Sequence, residues 1–220
     1  MIYFISDVHE DINFIGLKRY LEIATANDLL IILGDVGLNF QDTEDNREFT
    51  KRFLNIDKNI AFIEGNHENF EFLDHFPVEE WRGGKVNRLS KNIVRLMRGN
   101  VYDIDGKKFF TFGGCKSSKK WKEQGLWHFG EEPTPEQINF AINTLKRHGN
   151  TVDLILTHKY EIVGQGENCP LLVDLCKFID QNVNYKKWLS GHWHREYSLD
   201  DKHIYLYENL RSIDEMLQKT

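Results

Sequence analysis

The stretch Ile2-Tyr3-Phe4-Ile5-Ser6-Asp7-Val8-His9 decides the fold: an apolar run of strand length breaks off into a carboxylate and an imidazole. The same arrangement recurs four times downstream. Leu29-Leu30-Ile31-Ile32-Leu33 ends in Gly34-Asp35, and Ile60-Ala61-Phe62-Ile63 ends in Gly65-Asn66-His67-Glu68. Val152-Asp153-Leu154-Ile155-Leu156 ends in Thr157-His158, and Trp188-Leu189-Ser190 ends in Gly191-His192-Trp193-His194. Strongly apolar runs of this length read as buried strands of an α/β sheet. In such sheets ligands gather just beyond the carboxyl ends of the strands. Asp7, His9, Asp35, Asn66, His67, His158, His192 and His194 are therefore expected on one rim, and that rim reads as a metal site.

Between these runs the periodicity changes. Residues 12–24 place Phe14, Leu17, Leu21 and Ala24 at helical spacing, and 43–56 repeat this with Phe49, Phe53 and Leu54. Strand–helix–strand–helix–strand over residues 1–64 favours parallel pairing. A short helix follows Glu68 and ends at Pro77. The spacing then predicts strands over 94–97, 101–104 and 108–112, with Asp105-Gly106 as a hairpin turn, and this section is expected to be antiparallel. Residues 115–133 form a polar, tryptophan-containing loop longer than an ordinary connection. Thr134-Pro135-Glu136-Gln137 opens another helix. A further helix over 170–181 and strands over 185–190 and 203–207 complete a single α/β domain spanning 1–220, with Phe4, Phe62, Trp188 and Tyr205 in its core.

At 220 residues the chain is long enough for one domain with a sizeable core. Hydrophobic content of 40% with 28% charged residues is ordinary for a globular protein. No apolar stretch approaches the roughly 18 residues of a membrane span. The N-terminus lacks a basic leader pattern, so a cleaved signal peptide is not expected. Cys115, Cys169 and Cys176 form no CxxC pair, which fits a reduced, cytoplasmic setting. A net charge of −6 argues against broad polyanion binding.

The chemistry of the rim follows from its donors. Residues i and i+2 of an extended chain face one side, so Asp7/His9 and His192/His194 each offer a pair of ligands. Carboxylate, amide and imidazole donors suit Mn²⁺ foremost, with Fe, Zn²⁺ or Ni²⁺ as alternatives. Six or seven converging donors exceed what one ion needs. Two ions roughly 3.5–4 Å apart form the recurring clamp for in-line phosphoryl displacement.

The ordered set Asp7-x-His9, Gly34-Asp35, Gly65-Asn66-His67-Glu68, His158 and Gly191-His192-x-His194 resembles the calcineurin-like metallophosphoesterase superfamily. Stretches such as Pro77-Val78-Glu79-Glu80-Trp81 and Phe110-Thr111-Phe112-Gly113-Gly114 look like its small bacterial and phage members. The resemblance implies a four-layer α/β/β/α sandwich of two mixed sheets with a dinuclear metal site at the strand ends. It implies that Asp7, His9 and His194 bind the first ion, that Asn66, His158 and His192 bind the second, and that Asp35 bridges them. A metal-bridging hydroxide would hydrolyse phosphate monoesters or diesters, with His67 acting on the equatorial oxygens or the leaving group. Leu38 stands where the superfamily usually carries the acid that orients this histidine, leaving Asn39 or Glu68 as substitutes. Asn39 also occupies the position of the arginine found in the superfamily's protein phosphatases.

Lys119, Lys120, Trp121 and Trp127 in the 115–133 loop are candidate substrate contacts, because amines and indoles together grip phosphates and stack on bases. They favour a nucleotide or single-stranded nucleic-acid phosphodiesterase as the alternative enzyme. A metal-binding interaction scaffold is the non-enzymatic one. Cys115 reads as a packing residue, and Gly164-Gln165-Gly166 lacks the context of a nucleotide fingerprint. His75, His148 and His203 read as structural, and His128 stands apart only by lying in the loop.

Overall fold

The apolar runs are strands buried on both faces, and their alternating side chains feed two different cores. The computed structural model describes residues 1–161 and 169–218. The first half contains β1 (Ile2–Ile5), α1 (Ile15–Ile23), β2 (Leu29–Ile32), α2 (Glu44–Leu54), β3 (Asn59–Phe62), α3 (Phe70–Asp74), β4 (Val78–Trp81), β5 (Gly84–Arg88) and β6 (Ile93–Leu96). The second contains β7 (Asn100–Ile104), β8 (Lys107–Phe112), α4 (Lys119–Glu123), α5 (Pro135–Arg147), β9 (Leu154–Thr157), α6 (Pro170–Asn182) and β10 (Lys187–Ser190). β11 (Tyr197–Ser198), β12 (His203–Tyr205), β13 (Arg211–Ser212) and α7 (Ile213–Leu217) close the chain.

Among the described residues, one sheet runs β13-β1-β2-β3-β6-β5-β4 and the other β11-β12-β10-β9-β8-β7. Both are mixed. Phe4, Ile31, Ala61, Phe109, Leu154 and Leu189 point between the sheets into a shared core. Their neighbours Ile5, Ile32 and Phe62 face outward beneath α1 and α2. Phe110, Ile155 and Trp188 face outward on the other side beneath α5 and α6. Helix, sheet, sheet, helix is thus the layering that strands apolar on both faces demand.

The helices begin where local chemistry permits. Thr43 accepts a hydrogen bond from Asn46 N at 3.2 Å, with Glu44 and Asp45 in the first turn of α2 and Lys51 and Arg52 in the last. Thr134 and Gln137 form a reciprocal capping box on α5, with Pro135 in its first turn. The expected antiparallel section is corrected in one respect. β7 and β8 do form an antiparallel hairpin through Asp105-Gly106, but β6 pairs parallel with β3, with Ile93 beside Ile60. The chain leaves the first sheet at Arg98-Gly99, β7 starts the second, and only β13 later returns to the first, beside β1. No helix among the described residues is long and apolar enough to cross a membrane.

Candidate metal centre

Parallel pairing of β1 with β2 and β3, and of β8 with β9 and β10, brings the ligand-bearing ends of both sheets to one edge. There the chain turns sharply. Asp7 (φ 59°), His9 (φ 46°), Asp35 (φ 53°), His192 (φ 74°) and His194 (φ 49°) all occupy the left-handed region. Such conformations cost non-glycine residues of order 1–3 kcal/mol each and persist only where the surroundings over-determine them.

Here the candidate ligands hold one another. Asp7 N donates to Gly34 O at 3.1 Å, and His9 N to Asp35 O at 2.9 Å. The Asp7 carboxylate accepts the His192 N–H at 2.9 and 3.1 Å, and Asp35 Oδ1 accepts the His67 N–H at 2.8 Å. Two motif glycines permit this approach. A Cβ on Gly65 would lie 1.9 Å from Asp35 Oδ1, and one on Gly191 would lie 1.7 Å from Ser6 Oγ and 2.6 Å from Asp7 Oδ2.

The side chains form two adjoining groups. In the first, His9 Nε2 and His194 Nε2 are 2.8 Å apart, and His194 Nε2 is 3.4 Å from Asp7 Oδ1. Asp35 Oδ2 lies 3.5 Å from His9 Nε2 and 3.4 Å from His158 Nε2, which joins this group to the second. His158 Nδ1 donates to Leu33 O at 2.7 Å, so Nε2 is the ring nitrogen that faces Asp35. That nitrogen is fully buried and has no hydrogen-bond partner. Asn66 Nδ2 donates to Ser117 Oγ at 3.2 Å, and its Oδ1 accepts from Cys115 Sγ at 2.9 Å.

Charge follows the same geometry. Burial alone would raise the Asp35 carboxyl, but the His158, His67 and His9 rings hold it well below the usual range. Burial opposes protonation of His158, yet Asp35 beside it pushes that imidazole well up. His192 is pushed down to about 3, by burial first and by His158 next. Burial pushes the Cys115 thiol up to about 11. Oxygen and nitrogen donors around an orphaned buried imidazole nitrogen fit divalent cations.

His67 sits at the lip with its ring centroid 4.9 Å from those of both His9 and Phe40 and 5.3 Å from that of Trp121. Neither expected substitute orients it. The Glu68 carboxylate accepts the Val36 and Gly37 N–H groups at 2.8 and 3.2 Å, bracing the turn after Asp35. Asn39 engages through its backbone, with Thr50 Oγ1 and Asn69 Nδ2. Leu38 is buried in the core beneath α1 and α2, which is why no acid stands there. Ring packing replaces the missing hydrogen bond.

Of the loop candidates, Trp121 lines the cavity of about 320 Å³ over the centre. Lys119 and Lys120 are exposed on α4, with Lys119 3.6 Å from Glu123. Trp127 stacks under Lys122 and lines a separate cavity of about 1080 Å³ beside α3. Glu131 and Glu132 both pair with Lys122, at 2.8 and 3.0 Å. His128 donates from Nε2 to Phe40 O at 2.8 Å and so ties the loop to the wall beside His67. Lys116, another amine of the 115–133 loop, also lines the metal-side cavity, as do Lys159 and Trp193, which sequence reasoning does not single out. Adjacency to His158 and His192 is the only sequence signal of Lys159 and Trp193. Gly164-Gln165-Gly166 lies outside the described residues.

A solved structure of a protein of unknown function from Aquifex aeolicus is similar over 84% of this chain and 87% of its own, at 17% identity and a TM-score of 0.43. No curated protein matches the sequence. The profile of the calcineurin-like phosphoesterases matches residues 1–196, from the first strand through both histidines after β10. With that match covering nearly nine-tenths of its length, the chain belongs to the calcineurin-like phosphoesterase family.

Proposed function

We propose that Asp7, His9 and His194 hold one divalent ion, that Asn66, His158 and His192 hold a second, and that Asp35 bridges them. On this reading the centre hydrolyses phosphate monoesters or diesters. The observation that carries it is Asp35 Oδ2, 3.5 Å from the His9 imidazole nitrogen on one side and 3.4 Å from that of His158 on the other. One carboxylate oxygen between two imidazole nitrogens is the arrangement a shared ligand needs. When bound, such an ion pair supplies Lewis acidity and lowers the pKa of water at the site.

The chain's own groups do the rest. His158 and His192 present buried ring nitrogens to the second position. His67 faces the cavity and delivers a proton to the departing ester oxygen. Its clamp between Phe40, His9 and Trp121 fixes the ring plane in which that proton travels. Lys116 and Lys159 line the same cavity, with the Lys159 ammonium paired to Glu161 at 3.2 Å, so Lys116 is the amine that offsets phosphate charge as it enters.

Metal-stripped protein given Mn²⁺, Zn²⁺, Ni²⁺ or Mg²⁺ and assayed on p-nitrophenyl phosphate and bis-p-nitrophenyl phosphate tests this reading. Metal-dependent turnover is expected. His67→Ala is expected to lower monoester cleavage by about 10²–10⁴-fold, with a smaller effect on the diester. Bound ions without turnover on either ester would favour the non-catalytic scaffold.

A second reading concerns the substrate. Trp121 and Trp193 line the cavity beside Lys116 and Lys159, which favours a base-bearing phosphodiester. Nucleotides or short oligonucleotides would then outcompete simple aryl esters in kcat/KM.

A further inference from the structure

The second ligand group contains a donor of a different kind. Cys115 follows β8 through Gly113-Gly114 and is fully buried. Its Sγ lies 2.9 Å from Asn66 Oδ1 and 3.6 Å from His192 Nδ1. Among the described residues, Cys115, His158 and His192 each place a donor atom within 4.8 Å of the others. Cys169 and Cys176 enter no such group there. His158 supplies the independent pointer. Its buried Nε2 makes no hydrogen bond among the described residues and lies 3.4 Å from Asp35 Oδ2, while Nδ1 is committed to Leu33 O. Core packing leaves such a nitrogen unexplained, since an unsatisfied buried polar atom costs about 1–3 kcal/mol. A cation between the ring and the sulfur accounts for both.

We propose, resting on the two-ion reading above, that Cys115 ligates the second ion through Sγ beside Asn66, His158 and His192, and makes that position selective for a thiophilic divalent ion such as Zn²⁺ over Mn²⁺ or Mg²⁺. On binding, the S–H bond breaks, its proton passes to solvent, and a sulfur electron pair forms the metal–sulfur bond. No electron is transferred to or from the ion. The hydrogen bond to Asn66 Oδ1 is given up, and that oxygen turns its lone pair to the same ion. The first group holds carboxylate and imidazole donors alone, so the two positions differ in softness. The centre is therefore heterodinuclear by design of its donors: a harder ion against Asp7, His9 and His194, and a softer one against Cys115.

The test is a Co²⁺ titration of the metal-stripped full chain, followed by near-ultraviolet absorption, in wild type, Cys115→Ser and Cys115→Ala. Zn²⁺ and Mn²⁺ affinities are measured by competition alongside. A sulfur-to-cobalt charge-transfer band is expected in wild type and absent in Cys115→Ala. Zn²⁺ affinity at the weakened position should fall about 100-fold, while Mn²⁺ affinity changes by less than about 3-fold. Co²⁺ bound with visible bands but no sulfur band in wild type overturns the assignment, and leaves Cys115 as the hydrogen-bond donor that orients Asn66. A band that persists in Cys115→Ala, or an equal loss of Zn²⁺ and Mn²⁺ affinity, overturns it too. If neither ion nor Co²⁺ binds wild type at all, the two-ion reading falls with it. If Cys115→Ala fails to fold, Cys115→Ser carries the comparison: a sulfur band that persists in it belongs to another thiol, Cys169 or Cys176, and overturns the assignment.

Discussion

Gly65→Ala strikes the centre through geometry alone. Residue 65 is not in the left-handed region, so alanine meets no backbone penalty there, and only space is at issue. The added Cβ would lie 1.9 Å from Asp35 Oδ1 and 2.5 Å from Asp35 N. Ordinary contact needs about 3.5 Å, so the carboxylate must retreat by about 1.5 Å. The backbone nitrogen cannot rotate away, and β2 and β3 must separate locally. Forcing a methyl into a packed site costs about 1–3 kcal/mol. Withdrawing Asp35 also breaks its 2.8 Å hydrogen bond from the His67 N–H, a charge-assisted bond of about 1.5–3 kcal/mol.

Together these predict a loss of about 3–5 kcal/mol in the metal-free protein, a large share of a typical stability. Urea unfolding of metal-stripped wild type and variant reads it directly. With a slope of about 2–3 kcal/mol/M for a chain of this size, the midpoint should fall by about 1–2 M. On the proposed bridging role of Asp35, elemental analysis of the folded variant should find both ions depleted. A midpoint within about 0.3 M of wild type, with two ions retained, would refute the claim that this glycine exists to admit Asp35.

Three further outcomes follow from particular contacts. Asp35→Asn is expected to lower the affinity for both ions together, and loss of one ion alone in elemental analysis would count against the bridge. Arg95 is buried between Glu64 at 2.7 Å and Asp74 at 2.6 Å, so Arg95→Met should destabilise by about 3–5 kcal/mol in urea by leaving the Glu64 charge uncompensated. His203 faces Asp200 at 2.8 Å, Asp180 at 3.4 Å and the rings of Tyr160 and Tyr185; burial lowers its pKa, but the two carboxylates raise it above 6.5 overall. Its stabilisation is thus complete below the unfolded value of 6.5 and fades as pH climbs through the raised folded value, so the deficit of His203→Gln in urea should be larger at about pH 5.5 than at about pH 9.

The parts of the molecule legible in the sequence are those where burial leaves its own mark. The runs around Phe4, Ile31 and Ile155 are apolar at successive positions because one face feeds the inter-sheet core and the other a helix layer. Their ligands were legible because each stands at a strand end. β4 was not, since Val78, Glu79 and Glu80 are exposed and the strand exists through pairing with β5. The two-residue strands β11 and β13 are likewise defined by their neighbours. Contacts made by the fold rather than the motif were also out of reach. Cys115 meets Asn66 across 49 residues of chain, and Lys159 becomes a cavity wall only once β9 and β10 pair.

The absent acid at position 38 shows how one substitution is accommodated in the rest of the site. A carboxylate there would hold an imidazole by a directional hydrogen bond and favour its protonated form. Leu38 instead joins the core beneath α1 and α2, which anchors the turn that carries Asp35. The turn's remaining polar need is met by Glu68, whose two oxygens take the Val36 and Gly37 N–H groups. His67 is then left to aromatic packing, between Phe40 on the core side and Trp121 on α4. Phe40 is itself tied to the loop by its carbonyl hydrogen bond with His128. The long 115–133 loop thereby does for the ring's orientation what the carboxylate does elsewhere.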